Sequence, residues 1–195
     1  MVQYKIIDNF LSDSDFIELR QNITPQVAEE SNRVPTFSWV YGNNQVTADE
    51  PVHFKKVTDI EQLDPLHQWF FGHLIYFKTY QSQEIHNFGA LVSKIEPLAL
   101  WRIQANFTVQ QEQKRRGKFH IDYDAEPLKQ QSMITSIFYV NTTNGPTILE
   151  DGTEIECRAN RLVSYPYTTY HAGVLCTDQP YRIVINLNYF KDLEF

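Results

Sequence analysis

The sequence predicts a mainly β protein in which a sandwich or barrel of strands is backed by N-terminal helices. The chain holds 13 Phe, 11 Tyr and 3 Trp among 195 residues, and aromatic side chains are enriched in strands. Short strand-like segments follow one another from residue 97 onward, whereas apolar residues before it recur mainly at helical spacing. The length predicts one domain over 1–195, with mixed helical and hairpin support over 1–96 and a β core over 97–195.

The N-terminal half is expected to begin with a strand and a capped helix. Ser12 and Asp15 form a capping-box pattern ahead of apolar residues at helical spacing. The same spacing predicts a helix after Pro65, and a last helix is expected to end before Pro97. The predicted elements are a strand over 4–11, a helix from residue 12, a hairpin over 37–47, and helices over 65–80 and 84–95.

The C-terminal half is expected to consist of strands joined by turns. Asn144-Gly-Pro146 and Asp151-Gly152 are typical turn sequences between apolar segments. Near-regular spacing of short strands is typical of a sandwich or barrel. The predicted strands cover 98–109, 117–123, 132–141, 146–149, 154–158, 160–165, 169–176 and 181–190.

The charge and the apolar segments exclude several classes of protein. The net charge of −7 argues against a nucleic-acid partner. The basic run Lys114–Lys118 is a local exception to this negative charge. It is either a solvated loop or a contact for an anionic substrate. No stretch approaches the ~18 apolar residues that span a bilayer, and the N-terminus lacks the pattern of a signal peptide. The two cysteines form no CxxC, so we expect a cytoplasmic protein without a membrane partner. No oligomeric state is predicted.

A histidine and an aspartate two residues apart are the first candidate for chemistry. In Phe119-His-Ile-Asp122, a strand would place His120 and Asp122 on one face, because side chains alternate along a strand. An imidazole and a carboxylate on one face can bind a single metal ion. A surface histidine beside a solvated aspartate is the alternative that this short motif leaves open.

Two downstream residues extend the candidate site. His171 lies 49 residues after Asp122, and Arg182 follows His171 by eleven residues at the start of a predicted strand. Ile183, Ile185, Leu187 and Tyr189 alternate there with Arg182, Val184, Asn186 and Asn188. The polar face either lies in water or lines a cavity. In a cavity, the guanidinium would match the carboxylate of a dicarboxylate ligand.

Two histidines and one carboxylate form the facial triad of non-haem Fe(II) oxygenases. The order HxD, His and Arg resembles that of the 2-oxoglutarate- and Fe(II)-dependent oxygenases, in particular their small prolyl-4-hydroxylase-like branch in bacteriophage and bacterial genomes. The segments that carry the resemblance are Ile6–Ser12, Ile137–Thr147, Glu150–Gly152, Asn160–Val163 and Arg182–Phe190.

The resemblance implies a double-stranded β-helix, the jelly-roll barrel also found in cupins, and a single oxygenase domain with its catalytic core over 97–195. It implies that His120, Asp122 and His171 bind Fe(II) and that Arg182 binds the distal carboxylate of 2-oxoglutarate. Asn106 would lie near this cosubstrate, or on an ordinary solvated face. The implied reaction consumes O2, with ascorbate as a reductant, and hydroxylates a peptide side chain such as proline or a small molecule.

Two other classes of protein stay open at this point. One is a jelly-roll binding module without turnover, although the intact Asp122 argues against a disabled site. The other is a cupin-type metalloprotein, which usually relies on three histidines and a glutamate. The chain has no second histidine near His120 to complete such a set.

Overall fold

Two antiparallel sheets carry the fold of the computed structural model, which describes residues 1–25, 37–42, 70–122 and 132–191. The strands are β1 (Lys5–Ile7), β2 (Val40–Gly42), β3 (Phe70–Phe77), β4 (Tyr80–Gln81), β5 (Ala99–Val109), β6 (Met133–Tyr139), β7 (Thr143–Leu149), β8 (Glu154–Cys157), β9 (Arg161–Pro166), β10 (His171–Gly173) and β11 (Tyr181–Phe190). Within the described residues, the larger sheet runs β1-β9-β6-β11-β5-β3-β2, with β4 paired to β3, and the smaller sheet runs β10-β7-β8.

The helices lie before the main strands of the barrel, as expected. They are α1 (Asp13–Ile23), a 3-10 helix (Gln83–Phe88) and α2 (Gly89–Ile95). The Ser12 hydroxyl caps α1 by accepting a hydrogen bond from the Asp15 amide at 3.2 Å, which confirms the predicted start. The predicted helix over 84–95 is present as the 3-10 helix followed directly by α2. None of the described helices is both long and apolar enough to cross a membrane.

Strand β11 is the central strand of the larger sheet, and its two faces differ. It pairs with β5 on one side and with β6 on the other. Ile183, Ile185 and Leu187 are buried in an apolar cluster with residues of α1, the 3-10 helix and α2. Val184, on the opposite face, packs in a second cluster with residues of β7 and β8 in the smaller sheet. The predicted alternation along 181–190 is therefore confirmed, and the polar residues of this strand face the space between the sheets.

The helix predicted over 65–80 is wrong where the structure describes it. Residues Phe70–Phe77 form β3, which pairs with β2 and β5. The segment FFGHLIYF is rich in aromatic residues that favour strands, and strand pairing on both sides satisfies its backbone groups. Residues 65–69 of the predicted helix and 43–47 of the predicted hairpin lie outside the described residues. Residues 78–79 form a turn that leads into β4, and the described part of the hairpin contains β2.

Two further expectations for the C-terminal half need correction. Residues 117–122 form no regular strand, and isolated bridges at Arg116 and His120 tie this segment to Val174 and His171. Asn144-Gly-Pro146 is not a turn but part of β7. In contrast, Asp151-Gly152 does form a turn, with Gly152 at φ 86°, a conformation that glycine adopts without strain. The strand predicted over 169–176 is shorter, as β10.

A close backbone approach explains why β7 contains a glycine. A Cβ atom on Gly145 would clash with the Val174 carbonyl oxygen, so we expect Gly145→Ala to destabilise the protein by roughly 1–3 kcal/mol through overpacking. Gly89 is the matched control, because a Cβ there meets nothing within 4 Å and alanine favours a helix. Urea unfolding should show a lower midpoint for Gly145→Ala and an unchanged or higher midpoint for Gly89→Ala. Equal midpoints for the two variants would contradict this account.

Candidate functional site

The three predicted ligand residues meet at one place between the sheets. One ligand atom each from His120, Asp122 and His171 lies within 4.8 Å of the other two. The backbones of the two histidines are directly paired, because each amide donates to the other residue's carbonyl oxygen at 3.0 Å. The two imidazole ring centroids are 4.7 Å apart. A short pairing between 117–122 and β10 therefore brings these distant parts of the sequence together.

Backbone carbonyl groups fix the tautomer of both imidazoles. The Nδ1 of His120 is 2.9 Å from the Lys118 carbonyl oxygen, and the Nδ1 of His171 is 3.4 Å from the Thr169 carbonyl oxygen. A carbonyl oxygen only accepts, so each Nδ1 carries the proton and donates it. In the neutral form of each ring, the lone pair is then on Nε2, which is the form of histidine that binds a metal ion.

Asp122 is held as a buried carboxylate. Its side chain is 3% exposed, and its Oδ1 lies 3.6 Å from the His171 Nε2. Asn186 donates to Oδ1 at 3.2 Å, and Asn188 donates to Oδ2 at 2.9 Å. Burial raises the pKa of the Asp122 carboxyl, but His171, Arg102 and the Asn188 amide outweigh burial and lower it below its usual value. The group is thus an anion with oriented lone pairs.

His171 is the most deeply buried of the three residues, at 2% exposure. Burial lowers the pKa of its imidazole to about 4, against the opposing effect of Asp122. The ring is therefore neutral at pH 7. Its neighbour Tyr165, whose ring centroid lies 5.3 Å away, has a buried hydroxyl without a hydrogen-bond partner among the described residues. Burial also raises the pKa of this phenol well above its usual value.

The two asparagines of β11 should affect metal affinity through Asp122. We expect the double variant Asn186→Ala/Asn188→Ala to bind divalent metal about 10–100-fold more weakly, since partners that orient a ligand have effects of this size. Titration with Co(II), followed by its visible absorption, would measure the change. Asn22→Ala is the control, because the Asn22 amide in α1 donates to Asn87 and not to a residue of the metal cluster. Unchanged Co(II) affinity in the double variant would rule out this orienting role.

Arg182 lines the same pocket as His120 and His171. The space in and around this pocket, counted out into open solvent, is about 550 Å³. The guanidinium is buried and donates from Nε to the Gly145 carbonyl oxygen at 2.9 Å and from Nη2 to the Thr147 hydroxyl at 3.2 Å. The polar or charged residues that line the pocket are Asn106, Thr108, His120, Thr147, His171, Arg182 and Asn186.

The partners of the Arg182 guanidinium are all neutral. No carboxylate of the described residues lies within ion-pair distance of it. The Tyr139 ring lies 5.8 Å from the guanidinium carbon, and the Tyr139 hydroxyl donates to Thr147 at 2.9 Å. Burial raises the pKa of Tyr139 to about 12, so this phenol is also neutral. A buried guanidinium with neutral partners is costly unless an anion binds it.

The sequence pattern identified His120, His171 and Arg182, but not every residue around this pocket. Asn106, whose place near a cosubstrate stays a prediction, lines the pocket and accepts a hydrogen bond from Gln104 at 2.8 Å. Thr147 was missed because the neighbouring Gly145-Pro146 pair is typical of a turn. Tyr165 was missed because a single tyrosine in an apolar strand carries no distinctive pattern. In the basic run, Lys114, Arg116 and Lys118 are exposed.

Comparisons with known proteins identify the fold. No family model matches the chain, and no curated protein matches it. The viral collagen prolyl hydroxylase of Paramecium Bursaria Chlorella virus-1, solved with 2OG, is 15% identical over 97% of this chain and 96% of its own, with a TM-score of 0.51. A Trichoplax adhaerens prolyl hydroxylase is 15% identical over 96% of this chain and 83% of its own, with a TM-score of 0.54.

The chain has the prolyl hydroxylase fold. The same fold extends to SnoN, the non-heme alpha ketoglutarate dependent epimerase from nogalamycin biosynthesis. SnoN is 11% identical over 97% of this chain and 78% of its own, with a TM-score of 0.59. The predicted mainly β jelly roll backed by helices is therefore confirmed.

Within this prolyl hydroxylase fold, the His120–Asp122–His171 cluster fits a divalent metal, and the cluster together with Arg182 fits a dianionic ligand. Two imidazoles and one carboxylate are a donor set for Fe(II) and similar ions. Arg182 supplies an unpaired positive charge in the same pocket. The cluster contains no third histidine among the described residues, unlike the usual cupin set of three histidines and a glutamate.

Proposed function

We propose that the chain is a non-haem Fe(II)- and 2-oxoglutarate-dependent dioxygenase that hydroxylates its substrate and converts 2-oxoglutarate to succinate. The observation that carries this proposal is the pocket that both histidines of the His120–Asp122–His171 cluster share with the buried Arg182 guanidinium, which has no anionic partner among the described residues. A cation and an anion-binding group in one pocket match a ligand that chelates metal at one end and carries a carboxylate at the other.

The three ligand residues would hold Fe(II) on one side and leave its remaining positions open to the pocket. Bound iron and 2-oxoglutarate would supply the oxidising chemistry with O2. Asn186 and Asn188 keep Asp122 in place, and the carbonyl oxygens of Lys118 and Thr169 keep the imidazoles aligned. Arg182 would bind the distal carboxylate of 2-oxoglutarate, together with the Thr147 hydroxyl. Asn106 would contact the same ligand from β5.

Further features of the proposal concern the substrate and the setting. The similar prolyl hydroxylases support a peptide side chain such as proline as the target, and the similarity to SnoN supports a small molecule. Residues 1–195 would act as one oxygenase domain with its catalytic core over 97–195. Both cysteines are free and buried, which agrees with a reducing cytoplasm, where ascorbate or another reductant would keep the iron reduced.

Two measurements test the proposed function. Anaerobic addition of Fe(II) and 2-oxoglutarate should give the weak visible absorption band of an iron chelate, and admission of O2 should then give succinate. If the absorption band appears but no succinate forms, the protein binds iron and 2-oxoglutarate without turnover, as a binding module would. If neither the absorption band nor succinate appears, the proposal as a whole is wrong.

A further inference from the structure

We infer that Arg102 forms a second anion site beside the metal cluster, which binds a carboxylate group of the substrate. The inference rests on the proposed function and names a substrate class for it. Arg102 lies on β5 directly opposite Asn188 of β11, whereas Thr108 of β5 lies opposite Arg182. The two guanidinium-bearing positions are thus six residues apart along the paired strands, or about 20 Å.

The metal cluster lies between these two arginines. Asp122 bonds to Asn186 and Asn188, near the Arg102 end of the paired strands. A 2-oxoglutarate molecule that reaches from Arg182 to the metal occupies the opposite side of the cluster. The substrate must then approach from the side that 2-oxoglutarate leaves open, and Arg102 is the described cation on that side.

The Arg102 guanidinium is mostly buried but has few hydrogen bonds. Its side chain is 15% exposed. Nη2 donates to Gln104, which in turn donates to Asn106 at 2.8 Å. A guanidinium has five N–H donors, and this contact with Gln104 is the hydrogen bond that the described residues provide. Gln104 holds the group in one orientation and leaves most donors available to a ligand.

The contact with Asp122 does not account for Arg102. Nη1 lies 3.9 Å from the Asp122 Oδ1, which is beyond hydrogen-bond distance. Both oxygens of Asp122 already accept hydrogen bonds from Asn186 and Asn188. Arg102 therefore adds a positive charge near Asp122 but is not needed to orient it. A metal ion at Asp122 would oppose this charge and increase the need for an anion beside Arg102.

The summed charge around the loaded metal cluster favours a substrate group with a single negative charge. Iron(II) contributes two positive charges, Arg102 and Arg182 contribute two more, and Asp122 contributes one negative charge. The 2-oxoglutarate dianion removes two positive charges, so one remains at the Arg102 end. A carboxylate matches this single charge and the planar fork of an arginine. A phosphate monoester carries up to two negative charges at pH 7 and matches it less well.

The test compares acidic probes with their amides on the protein loaded with Ni(II) and 2-oxoglutarate. One arm uses a pool of free L-amino acids against the same amino acid amides. The other uses blocked pentapeptides with a central Glu or Asp against those with Gln or Asn. In at least one arm, the acids should raise the midpoint of thermal unfolding by about 2 °C or more above the amides. The arm that responds identifies a free acid or a peptide side chain.

Three variants decide whether Arg102 is responsible. Arg102→Gln should abolish the preference for acids, Arg102→Lys should keep part of it, and Arg158→Gln should keep all of it. Arg158 is the control because its side chain is 56% exposed and pairs with Glu156. No preference for acids in the unchanged protein, or a preference that survives in Arg102→Gln, would overturn the inference.

Metal and cosubstrate titrations separate this inference from the proposed function. Arg102→Gln should bind Ni(II) as tightly as the unchanged protein or more tightly, because a repelling charge is removed. Tenfold weaker binding would mean that Arg102 orients Asp122, and the inference would be wrong. Binding of 2-oxoglutarate to the unchanged protein reports on the proposed function alone. If 2-oxoglutarate binds and acids show no preference over amides, only the inference fails.

Discussion

Replacing Asp122 with alanine is expected to reduce Fe(II)-dependent formation of succinate by more than about a hundredfold. Loss of a partner that only orients a metal ligand costs 10–100-fold, and Asp122 is a proposed ligand as well as the negative charge of the cluster. The chain should stay folded, because a domain of this length buries a sufficient core without metal. Succinate assays and circular dichroism would measure both properties. His120→Ala and His171→Ala should behave in the same way.

Two controls test whether the loss of activity is specific to the metal ligands and to iron. Glu112→Ala removes an exposed carboxylate and should leave succinate formation unchanged. Zn(II), Ni(II) and Cu(II) should bind the unchanged protein as tightly as Fe(II) or more tightly but give no succinate. Full activity with Zn(II) would refute the oxygenase mechanism, and full Fe(II) affinity in His171→Ala would refute the assignment of His171 as a ligand.

Arg182→Met is expected to weaken 2-oxoglutarate binding by roughly 30- to 5,000-fold, or about 2–5 kcal/mol, the scale for truncating one partner of a buried charge pair. Isothermal titration of 2-oxoglutarate into the anaerobic Fe(II) protein would measure it. Arg182→Lys should retain weak binding, because lysine keeps the charge and loses the bidentate geometry. Without ligand, Arg182→Met should be at least as stable as the unchanged protein, because it removes a buried charge that lacks a described anionic partner.

Arg161 provides a matched control for Arg182. It is also a buried arginine, but it has its own carboxylate, since its Nε lies 2.6 Å from Asp8. Arg161→Met should therefore leave 2-oxoglutarate affinity unchanged and lower the free energy of unfolding. An unchanged dissociation constant in Arg182→Met would mean that Arg182 is a structural residue of β11, and the cosubstrate assignment would fall with it.

The sequence predicted the faces of β11 correctly for a physical reason. A central strand with different surroundings on each side must alternate apolar and polar residues, and Ile183 and Arg182 begin such a pattern. His120 and Asp122 are close together as predicted, although the regular strand used to argue for this is not there. Pairing between the His120 and His171 backbones has the same local effect, because it extends the chain at His120.

Other parts of the structure depend on distant contacts that local patterns do not contain. The aromatic residues of 70–77 satisfy helical spacing and strand propensity alike, and pairing with β5 decides between them. Gly145 and Pro146 favour a turn locally, yet the approach of Val174 places them in a strand. The pairing of Asn186 and Asn188 with Asp122 requires the sheet register and the 117–122 segment together.

The central position of β11 also leads to different rates of amide hydrogen exchange in different parts of the site. Its amides lie between two strands with both faces covered, so they should exchange with deuterium mainly through global unfolding. The backbone of segment 116–122 is held only by isolated bridges to His171 in β10 and to Val174 just after it among the described residues, and its amides should exchange faster through local opening. The Arg182 end of the pocket is thus long-lived, whereas the His120 end re-forms repeatedly. Metal binding should slow exchange over 116–122 and leave β11 unchanged.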